Sequence, residues 1–277
     1  MRKAGRSNLT VPRFIYYMIV KGKAMIKVCT FNLRINNEKD GINRFDNRLH
    51  RIISVIKKEK PHVIGFQEGN DYMLSQIAAH IPEYCIIGCG REKNCCGESA
   101  SVAVLREAFK VISVENFWLS HTPSVPGSSF GGDQSSCPRI TTSVLLYNVE
   151  SQKTFRFCNT HLDHKGENAR VLGMRQIIAH LENHPETFVL TGDFNALPES
   201  TAISEISSYV HNGRQTVDLT KSIGGSFHGF GKTEKPSKID YIFTDAEQLG
   251  KAYAVSEGEI DGIYVSDHDP LFAEIDL

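Results

Sequence analysis

Six strand-like runs in this chain end in a carboxylate, an imidazole or an amide, and this pattern constrains the fold more than any other feature. The run Met25 to Leu33 carries Asn32 near its end, and the run His62 to Glu68 finishes on a carboxylate. Short apolar runs with a period of two are typical of strands. Polar residues also occur at the ends of the other four runs, namely His161, Asp163 and His164, then Asp193 and Asn195, then Asp240, and finally Asp267 with His268.

The stretch Thr191 to Asn195 shows the two ways in which such a strand end can be interpreted. If the preceding strand continues through Phe194, then Asp193 and Asn195 share one face, where a carboxylate and an amide can serve a cation and an attacking water. A Gly-Asp pair followed by Asn is also typical of a turn, and the pentapeptide alone favours that interpretation. Six strand ends of the same chemical character favour a functional site instead.

Both halves of the chain repeat one order of elements: strand, polar end, helix, strand and polar end. Apolar residues recur at helical spacing between Arg44 and Glu59, and a second apolar stripe runs from Val171 to Leu181. We therefore predict an α/β fold in which two mixed sheets face each other, flanked by helices, with the polar ends at one edge. Further strands are predicted at Ser101 to Leu105, Val111 to Leu119, Thr141 to Asn148 and Gly250 to Val255.

Seven short motifs occur along the chain in an order that resembles the endonuclease/exonuclease/phosphatase superfamily. Phrases such as Asn116-Phe-Trp-Leu-Ser and Ser226-Phe-His-Gly-Phe make the chain similar to a bacterial subgroup of hydrolases, which resembles Mg²⁺-dependent exonucleases related to poly(A) deadenylases. The resemblance covers Met25 to Leu277 and implies a four-layer α/β/β/α sandwich of the deoxyribonuclease type. The motifs are Thr-Phe-Asn32-Leu, Gln-Glu68, Pro-Arg139, Thr-His161-Leu-Asp163, Gly-Asp193-Phe-Asn195, Lys-Ile-Asp240-Tyr and Ser-Asp267-His268.

Glu68 is the leading candidate ligand for a divalent cation, Mg²⁺ or Mn²⁺. Asn32 lies nearby, and waters are expected in the remaining positions because Mg²⁺ gives up its waters reluctantly and takes few protein ligands. Asp267 is a third candidate, which either completes the metal site or positions the imidazole that follows it. The alternative for Glu68 is an exposed glutamate at a strand end.

His268 is the candidate catalytic imidazole. Asp240 is its candidate partner, because a carboxylate that accepts one ring N–H fixes the tautomer and stabilises the imidazolium. The resemblance implies that this pair promotes attack of water on phosphorus. Asp193 would then hold or activate the water, while Asn195 and His161 would donate hydrogen bonds to the non-bridging oxygens where charge develops.

Four residues are predicted to contact the substrate: Arg139, His164, Phe227 and His228. The guanidinium of Arg139 can bind a phosphate as a planar fork, although a surface arginine fits the same pattern. His164 is either a further imidazole of the site or a connector between a strand and a helix. The two neighbouring rings at 227 and 228, in a glycine-flanked stretch, can stack on a base or ring of the substrate.

For several other residues a structural role is preferred over a functional one. Trp118 is predicted to pack in the core, and Arg34, Arg44 and Arg48 are predicted to lie on a solvated face in preference to a basic rim. Three long loops rich in Gly and Ser are expected to determine substrate selectivity, and their conformations do not follow from the sequence pattern. These loops are Gly90 to Gly97, Thr122 to Cys137 and Ser222 to Lys238.

The net charge of the chain restricts the kind of substrate that it can bind. A formal net charge of −1 over 277 residues argues against tracking of long nucleic acid, which requires an excess of Lys and Arg. A single-stranded end or a small phosphate ester needs only a small local cluster of basic residues.

The seven cysteines are odd in number and form no C-x-x-C pair, so we predict reduced thiols and a cytoplasmic protein, in preference to a disulfide framework or a zinc module.

The first 24 residues stand apart from this pattern. They are basic, their apolar run Phe14 to Val20 is too short to span a membrane, and the resemblance begins only at Met25. We expect residues 1–24 to be a disordered extension or an upstream misread start, and residues 25–277 to form one domain. Neither a membrane nor an obligate protein partner is predicted.

The sequence therefore predicts a Mg²⁺- or Mn²⁺-dependent hydrolase of phosphate esters. A phosphodiesterase or exonuclease that acts on nucleic acid ends is the preferred interpretation. The alternative is a phosphatase or phosphodiesterase of a small molecule, such as a sugar phosphate, a nucleotide or a lipid headgroup. A third interpretation is a binding or scaffold protein with an inactive site, which would keep its partner after Glu68→Ala, whereas an enzyme would lose turnover.

Overall fold

The computed structural model describes residues 25–256 and 258–277 of the protein. The extension predicted over residues 1–24 lies outside these described residues. In chain order the strands are β1 (Ile26–Asn32), β2 (Val63–Gln67), β3 (Tyr84–Ile87), β4 (Val102–Leu105), β5 (Phe109–Trp118), β6 (Ile140–Asn148), β7 (Thr154–His161), β8 (Phe188–Asp193), β9 (Val210–His211), β10 (Arg214–Gln215), β11 (Val217–Asp218), β12 (Asp240–Thr244), β13 (Gln248–Ala254) and β14 (Leu271–Asp276). The helices are a 3₁₀ helix (Glu38–Asn43), α1 (Phe45–Glu59), α2 (Asp71–His80), α3 (Glu167–Glu182) and α4 (Thr201–Ser208).

The strands form two six-stranded mixed sheets, with orders β13-β14-β1-β2-β4-β3 and β11-β12-β8-β7-β6-β5, and a small ribbon of β9 and β10. Each large sheet contains one parallel pair, β1 with β2 and β7 with β8, and the helix α1 or α3 connects the two strands of that pair. Antiparallel strands flank both pairs. The predicted repeat of strand, helix and strand in the two halves is therefore confirmed.

Helices cover the outer face of each sheet, which gives four layers. Side chains of α1, including Ile52 and Ile56, pack against Phe31 and Phe66 of the first sheet. On the other side, α3 and α4 pack against the second sheet in a separate cluster that includes Phe188 and Leu190. The predicted α/β/β/α sandwich is confirmed.

The two sheets pack on each other through a third apolar cluster. The strands that form this inner layer also carry the polar residues that collect at one edge of the sandwich. Val28 of β1 and Val189 of β8 both belong to it. Because side chains alternate along a strand, Asn32 shares the face of Val28, and Asp193 shares the face of Val189. The inner layer thus changes from apolar to polar toward the carboxyl ends of the parallel strands.

A glycine allows the sheets to approach closely just below the polar edge. A Cβ atom at Gly65 of β2 would lie 2.4 Å from Thr191 Oγ1 and 2.5 Å from Asn159 Oδ1. The buried amide of Asn159 donates across the sandwich to the carbonyl oxygens of Phe66 and Ser101, at 2.8 and 2.9 Å. These contacts join the sheets beneath the site and restrict their relative movement.

The structure differs from the predicted solvated face at two of the three arginines. Arg34 is partly buried and lines the polar cavity at the end of β1. Arg48 is fully buried and donates hydrogen bonds to four backbone carbonyls, those of Asn43, Leu33, Val265 and Arg34, at distances between 2.6 and 2.9 Å. Its guanidinium satisfies loop carbonyls that would otherwise be buried without a donor. The prediction of a solvated face for Arg48 is therefore wrong.

Two helices were not predicted, α2 and α4. Only Met73 and Ile77 are buried in α2, so its apolar stripe is short, and its start depends on the Asn70 side chain, which accepts a hydrogen bond from Met73 N at 3.0 Å. None of the helices in the described ranges combines the length and the apolar character needed to cross a membrane.

Candidate active site

The polar strand ends surround a cavity of about 370 Å³ at one edge of the sandwich. Both sheets contribute to its wall. Of the twelve predicted site residues, Asn32 and Asp240 lie buried directly behind the wall, and His228 does not line the cavity. The nine predicted residues in the wall are Glu68, Arg139, His161, His164, Asp193, Asn195, Phe227, Asp267 and His268.

Glu68 follows β2 in the left-handed backbone conformation, with φ of 62°. Such a conformation is unfavourable for a residue with a side chain, and it turns the carboxylate toward the cavity. Burial raises the pKa of Glu68, but hydrogen bonds from Ile35 N at 2.8 Å and from the Asn32 amide at 3.0 Å lower it more, so the net shift is downward. Glu68 is therefore an ionised carboxylate at neutral pH.

Asn32 connects the two sheets at the site. Its Nδ2 donates to Glu68 Oε1 and to Asp193 Oδ2, both at 3.0 Å, while its Oδ1 accepts from Arg34 N at 2.9 Å. The backbone donor fixes the orientation of the amide. In this arrangement Asn32 presents its NH₂ group, and not the oxygen expected of a metal ligand, to the two carboxylates.

Asp193 is the central carboxylate of the site. Its Oδ2 lies 3.6 Å from His161 Nε2 and 3.7 Å from His268 Nε2. Burial, followed by the negative charge of Asp240, raises the pKa of Asp193 to about 7. The raised pKa reflects an excess of negative charge in a buried position.

Asp240 and His268 form a buried pair. His268 Nδ1 lies 2.7 Å from Asp240 Oδ2, and the same oxygen accepts a hydrogen bond from Ser226 Oγ at 2.6 Å. Burial lowers the pKa of His268, but the charge and hydrogen bond of Asp240 outweigh this and raise it to about 10. The ring is consequently an imidazolium whose Nε2–H is directed toward the side of Asp193.

His161 has the opposite charge state. Burial, with the nearby charges of Arg139 and Arg91, lowers its pKa well below the ordinary value, so the ring is neutral. Asn195 Nδ2 donates to His161 Nε2 at 3.0 Å and to the Leu162 carbonyl at 3.1 Å. Since Nε2 accepts this bond, the proton is assigned to Nδ1.

Asn195 does not continue β8 as the shared-face prediction required. The strand ends at Asp193, and Asn195 has a φ of 47° with its backbone N–H donating to Asp193 Oδ1 at 2.9 Å. Local side-chain to backbone bonding of this kind is the usual behaviour of Asp at a turn. The stretch is thus a turn and part of the cavity wall at once, and both N–H groups of the Asn195 amide are directed at protein acceptors.

Arg139 lies on the far wall and is almost fully buried. Its Nη2 lies 2.8 Å from His164 Nδ1, and its Nε lies 3.5 Å from Asp163 Oδ2. Nε and Nη1 of this guanidinium have no hydrogen-bond partner among the residues that the structure describes. Burial and the neighbouring Arg91 lower the pKa of Arg139, which indicates a wall that favours an anion.

The sequence analysis did not identify Arg91 or Glu98. Both line the cavity, and Arg91 Nη2 donates to Glu98 Oε1 at 2.6 Å. Trp118, buried as predicted, donates from Nε1 to the Arg91 carbonyl at 2.6 Å and so holds the loop in place. The sequence offers one signal for these two residues, namely their position in or next to the loop Gly90 to Gly97. No periodic pattern specifies which side chains of such a loop turn inward.

The two neighbouring rings of the stretch 227–230 have different roles: Phe227 lines the cavity, and His228 packs against other residues. The Phe227 ring lines the cavity with its centroid 4.9 Å from that of His268. His228 instead packs against Tyr264, with centroids 5.4 Å apart, and its Nε2 lies 3.6 Å from Asp269. The structure therefore places Phe227, but not His228, where a substrate can touch it.

Asp267 and Arg34 form the third side of the cavity. Arg34 Nε lies 3.7 Å from Asp267 Oδ2, and the same guanidinium makes two hydrogen bonds to Asp40, at 2.9 and 3.0 Å. Burial raises the pKa of Asp267 despite the neighbouring cations. Arg44, by contrast, is half-exposed as predicted.

The donor set fits a hard divalent cation. Glu68, His161 and Asp193 each offer one ligand atom, and these atoms lie within 4.8 Å of one another. Carboxylate oxygens with waters in the other positions are the coordination that Mg²⁺ and Mn²⁺ prefer. A cation between Glu68 and Asp193 would also offset the charge that raises the pKa of Asp193.

Comparisons with known proteins agree with this geometry. The model of a family described as "Endonuclease/Exonuclease/phosphatase family" matches residues 29–268. An endonuclease/exonuclease/phosphatase from Bacteroides vulgatus is 30% identical, with a TM-score of 0.84 over 92% of this chain and 100% of that one. The mannosyl-6-phosphatase Bt3783 of Bacteroides thetaiotaomicron is 24% identical, with a TM-score of 0.80 over 90% of this chain and 99% of that chain. TDP2 from D. rerio, complexed with a single-strand DNA product, is 13% identical, with a TM-score of 0.72 over 92% of this chain and 100% of that one.

Proposed function

Because the chain belongs to the endonuclease/exonuclease/phosphatase family and is a phosphoester hydrolase, we propose that it is a divalent-metal-dependent enzyme that removes units from the end of a nucleic acid strand. The observation that carries the proposal is the arrangement around one cavity of two ionisable carboxylates, Glu68 and Asp193, an imidazolium at His268, and a buried guanidinium at Arg139. This combination suits attack of water on a phosphate whose charge is held from two sides.

Glu68 and Asp193 would hold the Mg²⁺ or Mn²⁺ ion, and Asn32 keeps the two carboxylates together by donating to both. When bound, the ion would polarise a phosphoryl oxygen and offset the charge that develops there. Asp267 stays a candidate that either completes the metal site or positions His268, and its Oδ2 lies 3.7 Å from Arg34 Nε on the same wall.

Asp193 is proposed as the group that accepts the proton of the attacking water. Its Oδ2 lies 3.6 Å from His161 Nε2 and 3.7 Å from His268 Nε2, so this carboxylate oxygen lies between the groups that would hold the phosphate, where it can accept a proton from water. His268, held by Asp240, would donate its Nε2–H to a non-bridging oxygen and stabilise the negative charge that develops on that oxygen in the transition state. His161, which is neutral, would contribute a second donor through Nδ1–H, with its ring oriented by Asn195.

Arg139 and His164 are proposed to bind the phosphate on the far wall. Nη1 of Arg139 has no hydrogen-bond partner among the described residues and would supply a donor, while Nε lies 3.5 Å from Asp163 Oδ2, which sets the position of the guanidinium. Phe227 supports the preference for nucleic acid ends, because its ring beside His268 offers a surface on which a base can stack. The nucleic acid proposal also draws on the similarity of the fold to TDP2.

A small phosphate ester is the second candidate, and two features of the cavity favour it. The cavity of about 370 Å³ is close in size to typical small-molecule pockets, and Arg91 with Arg139 places two guanidiniums on one wall. The similarity to a mannosyl-6-phosphatase points in the same direction.

The test is product release from 3′-labelled single-stranded RNA and DNA, nucleotides and sugar phosphates, in Mg²⁺, in Mn²⁺ and in excess chelator. We expect stepwise shortening of the oligonucleotides that needs the metal and is lost in Glu68→Ala. Phe227→Leu is expected to raise KM for oligonucleotides more than for a sugar phosphate. Turnover confined to small esters would replace the first candidate by the second, and turnover that is equal in chelator would contradict the metal-dependent proposal.

A further inference from the structure

A second cluster of metal-binding side chains lies outside the catalytic cavity, at the end of α3 and on the edge strand β5. One ligand atom from each of Glu115, His180 and His184 lies within 4.8 Å of the others. Two imidazoles and a carboxylate form a donor set that suits Zn²⁺ and similar transition metals much better than Mg²⁺. We propose that Glu115, His180 and His184 form a Zn²⁺ site.

His184 is oriented as a metal ligand would be. Its Nδ1 lies 2.7 Å from the His180 carbonyl oxygen, so Nδ1 carries the proton and Nε2 keeps its lone pair. Nε2 lies 3.4 Å from Glu115 Oε1. Two ligands that are each about 2.1 Å from a tetrahedral zinc ion are about 3.4 Å apart, so this pair needs little movement to bind one.

His180 contributes the second imidazole. Its ring centroid lies 4.3 Å from that of His184, and its Nε2 lies 2.9 Å from Ser143 Oγ.

The surrounding charge also favours a cation. Arg156 lies between two carboxylates, with Nη1 3.1 Å from Glu115 Oε1 and Nε 3.5 Å from Glu186 Oε2. Glu186 Oε2 is buried and has no hydrogen-bond partner among the described residues. Two carboxylates and one guanidinium leave one negative charge next to the two imidazoles. The Glu115 side chain is 43% exposed, which gives an ion a path from solvent.

The position of the cluster indicates a structural role. The helix α3 begins next to the catalytic cavity, and its 16 residues place its far end about 24 Å away. A metal there would attach the end of α3 to the edge strand β5 of the second sheet. Binding should therefore raise the thermal stability of the fold and leave the chemistry of the catalytic cavity unchanged.

The test is titration of the metal-free full-length protein with Zn²⁺ and with Co²⁺ in excess Mg²⁺, which occupies oxygen-rich sites. We expect one Zn²⁺ per chain, a rise in Tm with Zn²⁺, and a Co²⁺ absorption spectrum of the intense tetrahedral type. His184→Gln and Glu115→Gln should each weaken Zn²⁺ binding by on the order of 100-fold and abolish the Co²⁺ spectrum.

His80→Gln is the matched control. His80 Nδ1 also lies 2.8 Å from the carbonyl oxygen four residues earlier, at the end of α2, but the ring belongs to none of the metal-capable groups of the described chain. Its variant should bind Zn²⁺ as the wild type does. Absence of Zn²⁺ binding in the wild type, or equal binding in His184→Gln and wild type, would overturn the proposal. If His184→Gln does not fold, the half-exposed Glu115→Gln decides between the same outcomes.

Discussion

Replacement of Asp163 by Asn should reveal how strongly one buried carboxylate organises the wall that carries Arg139. Asp163 Oδ1 accepts hydrogen bonds from the backbone N–H groups of Ser135, Lys165 and Gly166 at 3.1, 3.0 and 2.8 Å, and Oδ2 accepts from Ser135 Oγ. An asparagine keeps the shape and one oxygen. It removes the negative charge that faces the Arg139 guanidinium.

The magnitude follows from the pKa of Asp163. Burial raises this pKa, but the hydrogen bonds from Ser135, Gly166 and Lys165 lower it more, from an ordinary value of 3.8 to about 2. Each pKa unit corresponds to about 1.4 kcal/mol of difference between the protonation states. The ionised form is therefore favoured in the folded protein by about 2 kcal/mol, which Asp163→Asn should remove from the free energy of unfolding at pH 7.

Urea unfolding of both proteins at pH 7, 5 and 3 measures this quantity and its sign. The pKa is lower in the folded state, so the stabilisation is complete above the unfolded-state pKa and is lost as the pH falls through the folded-state pKa. The difference between wild type and Asp163→Asn should be the same at pH 7 and 5 and should decrease by about half at pH 3.

Glu205→Gln is the matched control for this measurement. Glu205 also pairs with an arginine, with Arg175 Nη2 2.6 Å from its Oε1, but the Arg175 side chain is 58% exposed. We expect its variant to change the free energy of unfolding by less than about 1 kcal/mol. A loss below about 0.5 kcal/mol for Asp163→Asn at pH 7, or a difference that grows at pH 3, would refute the assignment of Asp163 as a buried charge that stabilises this wall.

Three further predictions concern the site and its support. Burial lowers the pKa of His268 and Asp240 raises it overall to about 10, so in metal-free Asp240→Asn we expect the imidazole pKa, followed by NMR titration, to fall toward its ordinary value. Turnover should decrease by about 10² to 10³ in the same variant, and an unchanged pKa would contradict the pairing. Glu68→Ala should lose Mg²⁺ binding, measured by calorimetry, with an unchanged circular dichroism spectrum; binding of equal strength would remove Glu68 from the metal site. Arg48→Met leaves four carbonyls without a donor and should cost about 3 kcal/mol or more in urea unfolding, whereas Arg44→Met should cost less than about 0.5 kcal/mol, and equal losses would be inconsistent with the buried role.

The alternation of side chains explains why much of the candidate site could be predicted. Val189, Thr191 and Asp193 lie on one face of a strand by their spacing alone, and the same holds for Val28 and Asn32. When the apolar members of both series pack in one inner layer, the polar members necessarily reach the same edge. The prediction needed only the period of two and the repeat of the two halves.

Contacts between distant loops could not be predicted in this way. Trp118 and Arg91 are 27 positions apart, and their hydrogen bond depends on the conformation of a Gly-rich loop. The sequence predicts a solvated face for Arg48 because an arginine near a helix start usually lies there, yet the turn after β1 places unsatisfied carbonyls around it. The spacing of apolar residues in a helix predicts which face is buried. It does not predict which backbone groups of another segment lie next to that helix.

For Asn195, too, the sequence predicts the location of the residue but not the contacts of its side chain. Its presence at a strand end marked it as a site candidate, but the turn after Asp193 directs its amide to His161 and Leu162. Which hydrogen bonds an amide makes depends on backbone angles, and these are set by the packing of both flanking segments.

The amino-acid sequence by itself determined the layers of the sandwich, the edge at which the polar residues collect and the chemical types available there, since these depend on local periodicity and burial of apolar side chains. The tertiary structure alone decided the charge states and partners. Asn32 and Asp193 are 161 positions apart and meet at 3.0 Å only because two sheets close over Gly65. Burial and neighbouring charge then set the pKa of Asp193 and of His268, because both effects act through space and not along the chain.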